Sequence, residues 1–254
     1  MLKVERQDAI LELLEKGAVQ STTDIAKQLN VTGMTIRRDI SELEGKGLVL
    51  KLYGGVQKVK KSLKEMSTNE KINQNIAEKE QIGKIMNSLI SDNMTIYLGA
   101  GTTILHALKH ITKKDLFILT NSLIAFRYII EETDYKAVLC GGEYNKNTEE
   151  FNGLLAERAF EDFNIDIAFA STNGIYSNNI TTSNVENGRV QKAAYQAAKV
   201  KTILADHTKM NKSDVYTFYH LEEVDFLITD DNLEEDSFKY YSQFTKILNK
   251  VVDK

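Results

Sequence analysis

The chain contains no proline, where about a dozen would be usual at ~5%, and a single cysteine, Cys140. No physical reason for the missing proline follows from the sequence, although the accompanying richness in Lys, Asn and Ile fits an AT-rich coding bias. One cysteine excludes an internal disulfide. Cys140 sits in the apolar run from Ala137, just before Gly141-Gly142, and reads as a buried strand residue rather than a reactive thiol. Long apolar runs are also lacking. No stretch approaches 18 residues, so no membrane span is expected. Glu5, Asp8, Glu12 and Glu15 break any signal-peptide pattern at the start, and a cytoplasmic protein is the expectation. The four histidines (His106, His110, His207, His220) have no metal-ligand spacing, and His106 and His110 read as the surface of one helix. No metal and no cofactor are expected.

Net charge is −4, but it is unevenly distributed. Residues 1–64 carry 12 Lys and Arg against 8 Asp and Glu, a net of +4, which leaves −8 for the other 190 residues. A basic head on an acidic body suits a DNA-binding module joined to a part that does not touch DNA.

Apolar positions Val4, Ala9, Ile10, Leu13 and Leu14 have helical spacing, with Gly17 as the stop. Ser21 is an N-cap with Asp24 three residues on, and Ile25, Ala26 and Leu29 form the inner face of the helix it opens. Asn30 and Val31 turn the chain, and Thr32 caps a further helix whose Ile36, Ile40 and Leu43 point inward. Two short helices joined by a tight turn form a helix-turn-helix, which presents the outer residues near the start of its second helix to DNA. Those residues are Met34, Thr35, Arg37 and Arg38, with Asp39 placed to orient an arginine. The run Leu48–Leu52 and the pair Gly54-Gly55 read as a β-hairpin wing. Ser21, Thr32 and Lys51 complete the candidate DNA-contacting set. A DNA-binding unit over 1–57, a linker over 58–75 and an effector domain over 76–254 are expected. Lys58, Lys60, Lys61 and Lys64 suit either a solvated linker or contacts to DNA phosphates.

Beyond residue 76 strand-like and helix-like segments alternate, which implies an α/β domain with a mainly parallel sheet and ligands bound beyond its C-terminal strand ends. The loops there are Gly99-Ala100-Gly101-Thr102-Thr103, Thr120-Asn121-Ser122, Gly141-Gly142-Glu143, Ser171-Thr172-Asn173-Gly174 and Asp206-His207-Thr208-Lys209. The first suits a phosphate, though a plain strand-to-helix turn would read the same; it is not a Walker loop. Together, small polar groups, amides, an aspartate and lysines suit a polyhydroxy anion.

The block Thr35-Ile36-Arg37-Arg38-Asp39-Ile40, the segment Ile25-Ala26 to Leu29, Val31-Thr32 and Gly54-Gly55 resemble the DeoR family of bacterial regulators. Gly33 departs from the polar residue common there, and weakens the helix start. The resemblance covers the whole chain and implies a winged helix-turn-helix followed by an effector domain similar to sugar-phosphate isomerases. Its Gly-Thr-Thr loop falls on Gly101–Thr103 and its Asp-x-x-Lys loop on Asp206 to Lys209. Most members carry aspartate where this chain has Gly99. Strings such as Glu65-Met66-Ser67, Thr181-Thr182-Ser183 and Phe218-Tyr219 resemble the lactose phosphotransferase repressor branch of that family. That likeness implies a homo-oligomeric (dimeric or tetrameric) repressor of a carbohydrate operon that binds double-stranded operator DNA. Tagatose 6-phosphate would be the inducer, with Lys71, Lys79, Asp206 and Lys209 in the response. The remaining candidate ligand residues are Gly99, Ala100, Gly101, Thr102, Thr103, Asn121, Gly142, Glu143, Asn173 and Gly174. Tagatose and fructose 6-phosphates carry the same charges and are not separated by the sequence. An isomerase-like enzyme would need a paired acid and base; Asp206, Glu143 and Glu186 have no spacing that fixes such a role, so a non-enzymatic protein is expected. An inert oligomerisation domain would have no use for polar groups at five strand ends.

Overall fold

The computed structural model describes residues 3–14, 19–45, 48–52, 55–58 and 66–251. The helix stop at Gly17, the turn at 53–54 and Lys60, Lys61, Lys64 and Glu65 lie outside them. The chain divides into two compact units, residues 1–62 with 211–213 and residues 63–210 with 214–254.

The first unit contains α1 (Lys3–Leu13), α2 (Thr22–Gln28), α3 (Gly33–Gly45) and an antiparallel pair, β1 (Val49–Leu52) and β2 (Gly55–Lys58). Ile10, Leu14, Ile25, Ile36, Ile40, Leu43, Val49 and Val56 form its core. Ile10 and Leu14 of the first helical segment, Ile25 and Ala26 of α2, and Ile36, Ile40 and Leu43 of α3 therefore meet there as expected. Ser21 Oγ accepts from the Asp24 N–H at 3.0 Å and caps α2. Asn30 turns the chain at φ 52, a region that asparagine tolerates. The glycine at 55 has a packing reason. A Cβ there would stand 2.6 Å from the Gln20 carbonyl oxygen, which the Val56 N–H reaches at 2.8 Å. Asp39 does not orient a neighbouring arginine. It is buried and takes a two-pronged ion pair from Arg6, at 2.5 and 3.2 Å, that ties α1 to α3.

The second unit holds α4 (Thr68–Lys71), α5 (Ile76–Leu89), β3 (Thr95–Leu98), α6 (Thr102–Leu108), β4 (Phe117–Thr120), α7 (Leu123–Glu132) and β5 (Lys136–Leu139). A hairpin, β6 (Glu143–Asn145) and β7 (Glu150–Asn152), and α8 (Leu154–Arg158) follow. Next come β8 (Ile165–Ser171), β9 (Gly174–Tyr176), β10 (Asn179–Thr182), α9 (Val185–Gln196), β11 (Ala198–Leu204), β12 (Tyr216–His220), β13 (Phe226–Ile228), α10 (Glu235–Tyr241) and β14 (Lys246–Leu248).

Seven strands form a parallel sheet in the order β14-β13-β11-β8-β3-β4-β5. Period-two alternation divides its side chains between two cores. Tyr97, Leu119, Ala168, Ala170, Ile203 and Leu227 point to one face. Ile96, Leu98, Ile118, Ile167, Phe169, Leu204 and Ile228 point to the other. The alternating reading missed short polar strands: the β6–β7 hairpin and an antiparallel sheet β12-β10-β9. It also passed over α10 and β14. Cys140, one residue past β5, is buried, and burial pushes its thiol up to about 12.

Two expectations change. Thr68–Lys71, placed within the linker, forms a helix seated on the larger unit, where the Thr68 N–H and hydroxyl donate to the Asn147 and Thr148 carbonyls at 3.0 and 2.9 Å. The cause is a capping box that the composition hid: Ser67 Oγ accepts from the Glu70 N–H while the Glu70 carboxylate takes the Ser67 N–H at 2.7 Å. His106 is not on a helix surface. It is buried on α6 with Nε2 2.9 Å from the Ile72 carbonyl, and burial lowers its pKa.

Candidate functional site

On α3, Met34 is 83% exposed and Arg37 and Arg38 are exposed beside it. Thr32 Oγ1 accepts from the Thr35 N–H at 3.2 Å, so both threonines serve the helix start. Ser21 is likewise engaged in its cap. Lys51, on β1, reaches across to α3, with Nζ 2.6 Å from the Glu44 carboxylate and 2.9 Å from Ser41 Oγ. The outward face of α3 thus carries two arginines, while Lys51 is partly neutralised.

In the second unit, strand order reverses at the β3/β8 junction, where the crevice of a parallel sheet binds its ligand. A cleft of about 410 Å³, open to solvent, lies there. Gly101, Thr102 and Thr103 follow β3; Ser171, Thr172 and Asn173 follow β8; Asp206 and Lys209 follow β11; Lys71, Asn75 and Lys79 close it from α4 and α5. Gly101 has φ 117, and a Cβ on it would meet Ser171 Oγ at 2.5 Å, so the loop requires glycine twice over.

Three lysines share this space. Lys71 Nζ donates to Asn173 Oδ1 at 3.2 Å. Lys79 Nζ donates to the Lys71 carbonyl at 2.8 Å. Burial lowers the Lys79 ammonium to about 8; the Asp206 carboxylate opposes this, and Lys209 and Lys71 add to it. Asp206 is buried; Oδ1 accepts from the Thr208 N–H and hydroxyl and from Asn75 Nδ2, whereas Oδ2 has no partner among the described residues. Lysines and hydroxyls around a glycine loop are donors matched to a phosphate.

Of the sequence-predicted ligand residues, Lys71, Lys79, Gly101, Thr102, Thr103, Asn173, Asp206 and Lys209 line this cavity, and Ala100 an adjoining one. Five do not line either. The Gly99 N–H is spent on the Phe169 carbonyl at 2.9 Å. Asn121 accepts from the buried Tyr97 hydroxyl and donates to the Phe151 carbonyl. Gly142 is where a Cβ would meet the Asn152 carbonyl oxygen at 2.3 Å, so that glycine serves packing. Glu143 is exposed on β6. The Gly174 N–H is held by Thr172 Oγ1. Strand order explains the Gly142 loop: β5 lies three strands, about 14 Å, from β8. Sequence reasoning missed Gln74 and Asn75, whose only signal was proximity to Lys71 and Lys79, while Ser171 and Thr172 stood in an expected ligand loop without being singled out. Among the described residues no cluster of His, Cys, Asp and Glu could hold a metal, and no helix is long and apolar enough to cross a membrane.

A DeoR-like helix-turn-helix domain matches residues 6–62 and a DeoR C-terminal sensor domain matches residues 74–231. The chain belongs to the DeoR family. It is 33% identical to the lactose phosphotransferase system repressor of Streptococcus mutans over 98% of this chain and all of the relative. It is 35% identical to the protein of that name from Staphylococcus aureus, over 92% of this chain and 95% of the relative. Similar solved structures include ribose 5-phosphate isomerase A from Neisseria gonorrhoeae, at 14% identity over 55% of each chain with a TM-score of 0.40. Another is eIF2B beta from Chaetomium thermophilum, at 12% identity over 59% of this chain and 49% of that one, with a TM-score of 0.42.

Proposed function

We propose that this protein is a transcriptional repressor of a carbohydrate-utilisation operon, released from double-stranded operator DNA by a phosphorylated sugar. The observation that carries the reading is the meeting of Lys71, Lys79 and Lys209 with Gly101–Thr103 at the sheet's switch point. Such a set neutralises a phosphate and supplies hydroxyl donors to its oxygens. The site binds and does not catalyse: it serves as a sensor. The exposed Arg37 and Arg38 of α3 contact DNA, with Met34 and Thr35 near the base edges. Binding as a homo-oligomer sets two such helices about 34 Å apart to meet successive major grooves. The relatives are named lactose phosphotransferase system repressors, which supports a lactose-utilisation operon, and tagatose 6-phosphate is the effector that the resemblance to that branch implies.

Lys71 lies on α4, a few residues after the boundary between the units. A ligand gripping Lys71 acts on the segment that leads to the DNA-binding unit. It shifts the DNA-bound state only by its differential affinity for the two states. The test is fluorescence anisotropy of the protein on DNA from upstream of its own operon, at fixed salt. Tagatose 6-phosphate, fructose 6-phosphate and unphosphorylated tagatose are titrated in turn. Release by tagatose 6-phosphate alone is expected. Release by another sugar phosphate keeps the mechanism and discards tagatose, and binding that no sugar phosphate alters overturns the reading.

A further inference from the structure

A second cavity, of about 430 Å³, adjoins the lysine cavity. Six residues line both: Lys71, Gly101, Thr102, Ser171, Thr172 and Asn173. Its other wall is different in kind. Thr148 and Glu150 come from the β6–β7 hairpin, and Asn187 and Gln191 from α9. The two amides are four residues apart and so share one helix face. The helix is fixed there by Gly188, where a Cβ would meet the Tyr216 ring at 2.6 Å. All four side chains are only 4–8% exposed. Thr148 Oγ1, Asn187 Oδ1 and Gln191 Oε1 are buried with no hydrogen-bond partner among the described residues. Buried polar atoms are ordinarily paired, so three orphaned oxygens on one cavity wall point to a missing partner.

The chemistry of that partner follows from the wall. Amide oxygens and the Glu150 carboxylate accept hydrogen bonds and repel anions, and a hydroxyl on the ligand can donate to them. This wall disfavours a phosphate, which is favoured next door, where Lys79 and Lys209 join Lys71. We infer that this second cavity is the polyol subsite of the effector site, with Asn187, Gln191 and Thr148 holding sugar hydroxyls while the phosphate lies among Lys71, Lys79 and Lys209. Lys71 and Asn173, joined at 3.2 Å, stand at the waist between the two ends. This rests on the phosphate-binding reading above and adds the residues that separate one sugar phosphate from another.

Calorimetric titration of the full chain tests it, with tagatose 6-phosphate, fructose 6-phosphate and inorganic phosphate as probes. Gln191→Met and Thr148→Val keep side-chain volume and remove one polar group each. Each is expected to weaken the tighter-bound sugar phosphate about ten-fold, to leave inorganic phosphate unchanged and to keep the thermal midpoint. Thr148→Val, in a loop, stands in if the helix variant does not fold. Unchanged sugar-phosphate affinity, or a parallel loss of inorganic phosphate, overturns the subsite alone. If the unaltered protein binds none of the three probes, the phosphate reading falls and this inference with it.

Discussion

Lys79 is a long cationic side chain left 3% exposed, with its ammonium on a backbone carbonyl. A fold tolerates that arrangement only where the charge has a use. Its folded pKa, about 8, lies below the ordinary lysine value. The unfolded chain therefore binds the proton more strongly, and the cost is fully present below pH 8 and fades as pH rises toward 10.5. That cost is on the order of 3 kcal/mol at neutral pH. Lys79→Met should then raise the effector-free melting temperature by several degrees at pH 7, and should weaken sugar-phosphate binding at least ten-fold. A lower melting temperature in calorimetry would show that the ammonium stabilises the empty site instead. The same argument sets a pH dependence. A bound phosphate favours the charged ammonium, so binding should take up protons near pH 8–9 and affinity should fall as pH rises through 8. Titrations in buffers of different ionisation enthalpy measure that uptake.

At the scale of elements, α3 and α4 do separate work. Arg37 is exposed and shows no role in the core, so Arg37→Ala should weaken operator binding and flatten its salt dependence by about one unit of slope, with sugar-phosphate binding unchanged. Unaltered operator affinity would remove α3 from the DNA interface. α4 depends on its capping box, and loss of an N-cap side chain costs about 0.5–2 kcal/mol of helix stability. Ser67→Ala should therefore speed amide exchange over 68–72 and weaken effector binding several-fold through Lys71. Unchanged exchange there would mean that contacts to Asn147 and Thr148 hold the helix without its cap. How far the sequence revealed these elements depends on their length and period. The helix-turn-helix and the parallel strands were readable, because Ile25, Ile36 and Ile40, or the apolar run at 167–170, mark buried faces directly. The hairpin β6–β7 was not, since Glu143, Asn145, Glu150 and Asn152 resemble a polar loop and pair over only three residues. The site divides in the same way. Lys71, Lys79, Asp206 and Lys209 were reached through a family motif. Asn187 and Gln191 belong to no motif, and only the fold, which brings the β6–β7 hairpin and α9 to one cavity, makes them a wall. The two expected sites at Asn121 and Gly142 failed because a polar or glycine-rich strand end looks alike whether it meets a ligand or a neighbouring carbonyl.

For the molecule as a whole, the two activities sit on separate compact units of one chain. If an effector bound in the larger unit lowers operator affinity by some factor, operator DNA must lower effector affinity by that same factor, because the four states close a thermodynamic cycle. Couplings of this kind are typically about 1–3 kcal/mol, or roughly 5–150-fold. The factor can therefore be measured twice with independent instruments. Anisotropy gives the operator affinity with and without saturating sugar phosphate. Calorimetry gives the sugar-phosphate affinity with and without saturating operator duplex. Equal ratios are expected. They should shrink together in Ser67→Ala, if α4 carries the coupling, and stay equal to each other in Arg37→Ala, where only the DNA arm is weakened. An effector that released DNA while its own affinity ignored the operator would be acting as bulk salt and not through a bound state, since even direct competition for the DNA-binding surface is reciprocal. A control titration with sodium chloride at matched ionic strength separates screening from binding, because screening acts through any salt alike while the cavity selects its anion.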